Sequence, residues 1–501
     1  MRRRWHPWLF GIWPAIGAIP GGDVSVLNVV AAVAAGLAFA GLCFLIAHRM
    51  AAGPTRASLG ASTLILAWFA YGPAHGIAAD LNREVGLDAL IGTFDFVRHR
   101  HLLPVWLLVF GVVFFRLMLT KRDLRRWTPR LNALAILLIV IAGARAAWPA
   151  ADREAGDASD PDIYHLILDR YPRGDVFKTA YGFDNSPFLD WLGTRGFLVV
   201  DQSHCNYAST TLSVWSMLNM DYLPAEVYRA EVMRSLREGH AVADFVQERG
   251  YRYIHVGSHH GPLGPNGAAD ENPFIARSPS RYLRRFLSRT PLVFHFGDFG
   301  ALDPQVHGDI GQFQFATLES LANTAGPKYV FAHILLPHSP MVFDKDGGRI
   351  ANAEAGFAEE AKAPFVEQTK YTNTLLRRLV DRLLANRARP PVIILQAEEG
   401  PYLRGRDREL GEGERYRVRQ GIFHALYLPG GAARVFGRDA TPVNTYRKLF
   451  RHLFDATLET KPPQLFSWDD RNEENEYLPR VLRFFEITNK VAPVAGGRPP
   501  D

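Results

Sequence analysis

The stretch Cys205–Leu223, CNYASTTLSVWSMLNMDYL, decides how this chain is read. A polar, hydroxyl-rich turn from Asn206 to Thr211 runs straight into an apolar segment with helical spacing. Leu212, Trp215 and Leu218 or Asn219 recur at the interval that places side chains on one helix face. A hydroxyl at such a helix start lies among unpaired backbone N–H groups and at the positive end of the helix dipole, a setting that suits an anion. Thr210 occupies that place. The stretch by itself allows two readings. Either Ser209 or Thr210 caps the helix, or Thr210 is a nucleophile that meets an anionic group. The rest of the chain has to choose.

The 501 residues leave room for more than one domain. The composition, 48% hydrophobic and 22% charged, is ordinary on average but unevenly spread. Residues 1–150 are mostly apolar with basic punctuation, whereas 151–501 have the make-up of a soluble domain. The net charge of +6 comes partly from basic residues beside apolar segments, so it argues for membrane topology and against nucleic acid as a partner. Cys43 and Cys205 are far apart, so no intramolecular disulfide is expected, and no CxxC spacing suggests a zinc site.

Five apolar segments follow one another: Trp8–Ile19, Val24–Ala47, Leu59–Ala79, Leu102–Thr120 and Leu131–Trp148. A span needs about 20 apolar residues, so the last four qualify and the first, which holds Pro14, is marginal. Arg116 and Arg145 lie near segment ends, where they can snorkel. Alternate loops are basic: Arg2–Arg4, then Arg49 and Arg56, then Lys121–Arg130. The intervening third loop carries Asp80, Glu84, Asp88 and Asp95. Basic loops face the cytoplasm. About five spans in a bacterial-type inner membrane then put the rest of the chain outside the cytoplasm. Residues 151–161 form a linker, 162–490 a domain, and 491–501 a disordered tail.

In that domain, strand patterns alternate with helix patterns. Strands are expected at Ile163–Leu168, Phe197–Val200, Tyr251–Gly257, Tyr329–Leu336, Val392–Gln396 and Ile422–Leu428, and helices at Ser186–Arg195, Phe365–Leu384 and Thr441–Phe454. This is an α/β domain with a mostly parallel central sheet, and ligands of such sheets bind beyond the carboxyl ends of the strands. Asp169 closes the first strand in ILDRYPR, and Glu398 and Glu399 follow the Val392–Gln396 strand in ILQAEEGPYL. With Thr210 between them, these acids could make an oxygen-rich site for a divalent cation. His338, in HILLPHSPMVFD, could serve as a general acid or hold a substrate oxygen. His333 alternates within a strand and reads as packing, while His259 and His260 read as loop residues.

These segments resemble the sulfatase-like hydrolase/transferase group of the alkaline-phosphatase superfamily, whose membrane members are lipoteichoic-acid-synthase-like and phosphoethanolamine-transferase-like. The resemblance covers residues 160–460 in order and is carried by PDIYHLILDRYPR, FDNSPFLDWLGTRGF, the LNMDYL ending, FAHILLPHSPMVFD, VIILQAEEGPYL and TPVNTYRKLF. It implies an alkaline-phosphatase-like fold, Asp169 as metal ligand, Thr210 as nucleophile and ligand, and His338 as a holder of the transferred group. The pair after the late strand is typically Asp-His in the family; here it is Glu398-Glu399. Three carboxylates and a hydroxyl suit Mg²⁺, Mn²⁺ or Ca²⁺ better than Zn²⁺. Arg170 could clamp a substrate phosphate. It could instead pair with Glu398 or Glu399 and stand where a metal would. No CxPxR motif is present, which argues against a classical sulfatase.

The expected function is a membrane-anchored, metal-dependent hydrolase or transferase of phosphate esters, less so sulfate esters, in lipid-linked or envelope-glycan substrates. The alternative is a non-catalytic relative, an envelope binding or scaffold protein whose metal site is lost. The sequence sets no oligomeric state.

Overall fold

A computed structural model describes residues 3–19, 26–75, 77–78, 99–147, 156–157, 159–258, 260–274, 286, 289–291, 304–350, 362–385, 389–403, 410–437, 440–468 and 481–491. The acidic third loop, His259, most of the linker and the tail beyond Val491 lie outside these residues. The chain forms two compact units, one of residues Met1–Asp152 with Ala276–Phe299, the other of Arg153–Ile275 with Gly300–Asp501.

The first unit is helical: α1 (His6–Ile16), α2 (Val26–Met50), α3 (Pro54–Phe69), α4 (His99–Leu119) and α5 (Trp127–Ala147). Among the described residues, three helices are long and apolar enough to cross a membrane, at Val26–Met50, Leu102–Leu119 and Trp127–Ala144. Leu107, Leu108, Val109, Val112 and Phe115 of α4 are exposed, an apolar surface that lipid and not water would solvate. About five spans were expected. Of the other two apolar segments, the described residues give α1, only 11 residues long, and α3, which ends at Phe69. Pro73 explains the second case, because it has no N–H to offer the Phe69 carbonyl.

Asn132 at the start of α5 accepts the Trp5 and His6 N–H groups at 3.1 and 2.8 Å, satisfying donors that the first turn of α1 leaves open. The Arg-rich N-terminus and the Lys121–Arg130 loop therefore share one end of the bundle. At the other end, Arg289 of the 276–299 segment donates to the Gly17 carbonyl at 2.6 Å, its own carbonyl accepts Gly72 N–H at 3.1 Å, and Phe286 packs on Phe69.

The second unit is an α/β domain. Its main sheet contains β1 (Ile163–Leu168), β2 (Leu198–Val199), β4 (Arg252–Val256), β5 (Lys328–Ile334), β6 (Val392–Gln396) and β7 (His424–Tyr427), in the order β2-β7-β6-β1-β5-β4. β6, β1, β5 and β4 are mutually parallel and β7 runs against its neighbours, so the sheet is mixed but mostly parallel. A smaller sheet joins β3 (Glu226–Tyr228), β9 (Val481–Glu486) and β8 (Phe466–Trp468).

All six residues of β1 are buried, as a central parallel strand covered on both faces requires. Its side chains alternate between two cores. Tyr164, Leu166 and Leu168 join Phe365, Leu376 and Leu379 of the helix α9 (Lys362–Leu384). Ile163 and Ile167 join Val214 and Met217 of α7 (Thr210–Asn219) and Tyr446 and Phe450 of α11 (Pro442–Phe454). The intervening helices used below are α6 (Ser186–Thr194), α8 (Pro304–Leu321) and α10 (Glu412–Gln420). Cys43 and Cys205 are both free and buried.

Candidate active site

The parallel register brings the chemistry to one sheet edge. β1 pairs with β6 from Ile163↔Val392 to Ile167↔Gln396, so Asp169 and Glu398 emerge side by side beyond the two strand ends. β1 also pairs with β5, setting Ile167 opposite His333, and Asp169 N–H continues that ladder by donating to Ile334 O at 2.9 Å.

Thr210 is the first residue of α7. The residue before it, Ser209, is the N-cap but makes no side-chain cap bond. Thr210 Oγ1 instead lies 3.0 Å from Glu398 Oε1 and 3.2 Å from Glu399 Oε1, with the hydroxyl as donor. The cap reading therefore fails for both residues. The hydroxyl points into the acidic cluster.

The two glutamates differ. Burial, then the charge of Glu399, raises Glu398 to about 7. Asp169, also buried and pressed by Glu398, is raised well above the usual carboxylate range. Burial would raise Glu399 too, but the guanidiniums of Arg170 and Arg419 outweigh it and hold it down to about 2. Arg170 Nε meets Glu399 Oε1 at 3.0 Å, and Arg419 Nη2 meets Oε2 at 3.0 Å. Arg419 is further tied to the carbonyls of Gly400 and Ala208 at 3.0 and 2.9 Å. Gly400 has no room for a Cβ, which would collide with Val418 O, so the turn after Glu399 lies directly on the last turn of α10.

On the other side of Glu398, Asp169, His333 and Glu398 form a buried group whose ligand atoms all fall within 4.8 Å of one another. Among the described residues, Asp169 Oδ1 and His333 Nε2 are buried without a hydrogen-bond partner. His333 Nδ1 is 2.6 Å from Ser258 Oγ, which also accepts His260 N–H at 3.2 Å. With Nδ1–H donating to that oxygen, the Nε2 lone pair faces Asp169, 3.7 Å from Oδ2. Burial, then the charges of His260 and His255, keeps His333 far below the usual histidine range, hence neutral, the form that ligates a metal. Two carboxyls, a neutral imidazole and a hydroxyl fit a divalent cation.

His338 lies to one side. Its Nδ1 donates to Ser339 O at 2.6 Å, and its own carbonyl accepts from His307 Nε2 at 3.1 Å and Gln368 Nε2 at 3.0 Å. Its charge lowers both His260 and His333, which places it near the cluster without a direct bond to Thr210 in view.

The structure thus gathers Asp169, Arg170, Thr210, Glu398 and Glu399, with His338 at the margin. His333 is a correction: expected to pack in the core, it lines the site, because the β1–β5 register sets it beside Asp169. His260 lies against it, with ring centroids 6.0 Å apart. Arg419 was also missed, and nothing in the basic run RYRVRQ marks which arginine reaches Glu399.

No family model matches the chain, and no curated protein matches it. Solved structures do. The chain is similar to the C-terminal periplasmic domain of EcEptC from Escherichia coli in complex with Zn, at 11% identity and TM-score 0.44, covering 66% of this chain and 94% of that one. It is similar to the soluble domain of lipooligosaccharide phosphoethanolamine transferase A from Neisseria meningitidis, at 11% identity and TM-score 0.40, covering 60% and 89%. A protein in the alkaline phosphatase superfamily from Vibrio parahaemolyticus matches at 12% identity and TM-score 0.40, covering 64% and 75%.

Proposed function

We propose that this chain is a membrane-anchored, metal-dependent hydrolase or transferase of phosphate esters that works through Thr210, in the manner of the sulfatase-like group its motifs resemble. One observation carries the reading: the Thr210 hydroxyl, at a helix start, is spent on the carboxylates of Glu398 and Glu399 and not on its own helix. Asp169, His333 and Glu398, with the Thr210 oxygen, are the groups that would hold a cation. Bound there, a divalent ion supplies a Lewis acid that polarises the phosphoryl group. The preference for a hard ion over Zn²⁺ rested on the lack of an imidazole, and His333 supplies one.

The rest is the work of the chain's own residues. Thr210 Oγ1 attacks phosphorus as its proton passes to the glutamate oxygen it already contacts. The bond from phosphorus to the leaving oxygen breaks, and that oxygen takes a proton from protonated His338. Water or an acceptor hydroxyl then attacks the phospho-threonine and gives its proton to His338. The Thr210 oxygen departs and recovers its proton from the glutamate. The apolar helices of the first unit support a substrate presented at a membrane, a lipid-linked or envelope phosphoester.

A second reading is favoured by a specific contact. Arg170 and Arg419 hold both oxygens of Glu399, so cations already stand beside Thr210, as in a non-catalytic relative. Metal analysis of the full-length protein in detergent, with phosphodiester turnover by wild type and Thr210→Ala, separates the two. An enzyme carries a stoichiometric divalent ion and loses at least ~10³-fold in turnover on substitution. A protein with no stoichiometric ion and a background unchanged by Thr210→Ala is the non-catalytic relative.

A further inference from the structure

Asp169 and Arg170 are neighbours at the end of a strand, where successive side chains point to opposite faces. Here they do not. Arg170 has φ 55°, one of three described non-glycine residues with positive φ. This left-handed conformation is unfavourable for a residue with a Cβ and persists where surroundings enforce it. Its effect is to turn the chain so that Asp169 faces Glu398 and the Arg170 guanidinium reaches Glu399 on the same side. The Arg170 N–H lies 3.4 Å from Glu398 Oε2, so backbone and side chain of one residue touch both glutamates.

Both oxygens of Glu399 are meanwhile engaged by guanidinium groups. Oε1 takes Arg170 Nε and lies within reach of the Thr210 hydroxyl, and Oε2 takes Arg419 Nη2. Arg419 is anchored by two carbonyls as well as by Glu399. Arg170 is held through Nε on the same Glu399 oxygen that the Thr210 hydroxyl reaches. Planar guanidinium donors match the geometry of phosphate oxygens.

Resting on the phosphate-ester reading above, we propose that Glu399 is not a metal ligand but the seat of a guanidinium. Arg170, fixed by it, meets the phosphoryl anion as it reaches Thr210. The site is then a one-metal centre. Asp169, His333 and Glu398 would hold the ion on one flank of Thr210, and the Arg170 guanidinium supplies a fixed positive charge on the other. Arg419 is a positioning residue that keeps Glu399 in place.

The test uses the full-length protein in detergent, with Mn²⁺ as the metal and bis-para-nitrophenyl phosphate as the ester. Metal content, kcat and KM are measured for wild type, Asp169→Asn, Glu399→Gln, Arg170→Ala and Arg170→Lys. Circular dichroism and gel filtration confirm that each variant is folded. Expected is one Mn²⁺ per chain in wild type, none in Asp169→Asn, and one in Glu399→Gln and both Arg170 variants. Arg170→Ala loses at least ~10-fold in kcat/KM, and Arg170→Lys, which keeps charge without the fork, falls between it and wild type. Loss of Mn²⁺ from folded Glu399→Gln would make Glu399 a ligand and overturn the inference while leaving the phosphate-ester reading intact. Unchanged kcat/KM in Arg170→Ala would overturn it too. A wild-type protein with neither Mn²⁺ nor Thr210-dependent turnover would overturn the reading itself, and the inference with it.

Discussion

The two flanks of Thr210 are built from the same kind of residue and end in opposite states. Towards Glu399, the acid is satisfied from within the chain: two guanidiniums at 3.0 Å neutralise it and fix its carboxyl. Towards Asp169, two carboxyls crowd each other in a buried space, while Asp169 Oδ1 and His333 Nε2 have no partner among the described residues. Buried polar atoms in native proteins are nearly always paired, so orphans on one flank only call for a group that the polypeptide does not provide. In the function proposed above, a cation from solution meets that need. The difference shows that adjacent glutamates in one sequence motif need not share a role.

The largest effect that can break this contrast is loss of the ion from the orphan flank. Asp169→Asn should abolish stoichiometric divalent-metal binding, measured by elemental analysis, and retained metal would show that the ion sits elsewhere. Removing metal from wild type by chelation should lower the thermal midpoint, since an ion present at 100 times its Kd stabilises by about 2.7 kcal/mol. A midpoint that chelation does not move would mean the acidic cluster is stable as it stands. Ser258→Ala, which removes the oxygen that orients His333, should weaken metal affinity ~10- to 100-fold by titration calorimetry. Gly400→Ala acts on the satisfied flank. Its Cβ meets Val418 O, so denaturation should show a loss of ~1–3 kcal/mol with metal content kept. The smallest effect is Ser209→Ala. A working N-cap serine is worth ~0.5–2 kcal/mol, but this one makes no side-chain cap bond and should cost less than that range.

Much of the α/β unit was legible because its strands are continuous apolar runs bounded by polar residues. Ile163–Leu168 and Val392–Gln396 appear as expected to the residue, and that fixes Asp169 and Glu398 at their ends. Thr210 was legible as a helix start and as a nucleophile candidate, but its hydroxyl's contacts were not, since Glu398 and Glu399 lie almost two hundred residues downstream. His333 was misjudged because alternation along a strand looks the same for a core residue and for one that borders a site. Only the register with β1 tells them apart. The pairing of Arg170 with Glu399 depends on a positive φ that no local pattern announces. In the helical unit, hydropathy located the segments but not their lengths, and Pro73 shortened α3.

The most direct measurement is the covalent state of Thr210. Full-length protein loaded with Mn²⁺ is incubated with a phosphodiester, quenched in acid, digested and analysed by mass spectrometry. A phosphoryl-containing adduct on Thr210, absent from Asp169→Asn, is the predicted result. Unmodified Thr210 in metal-loaded protein that still turns over the ester, at a rate unchanged in Thr210→Ala, would contradict it.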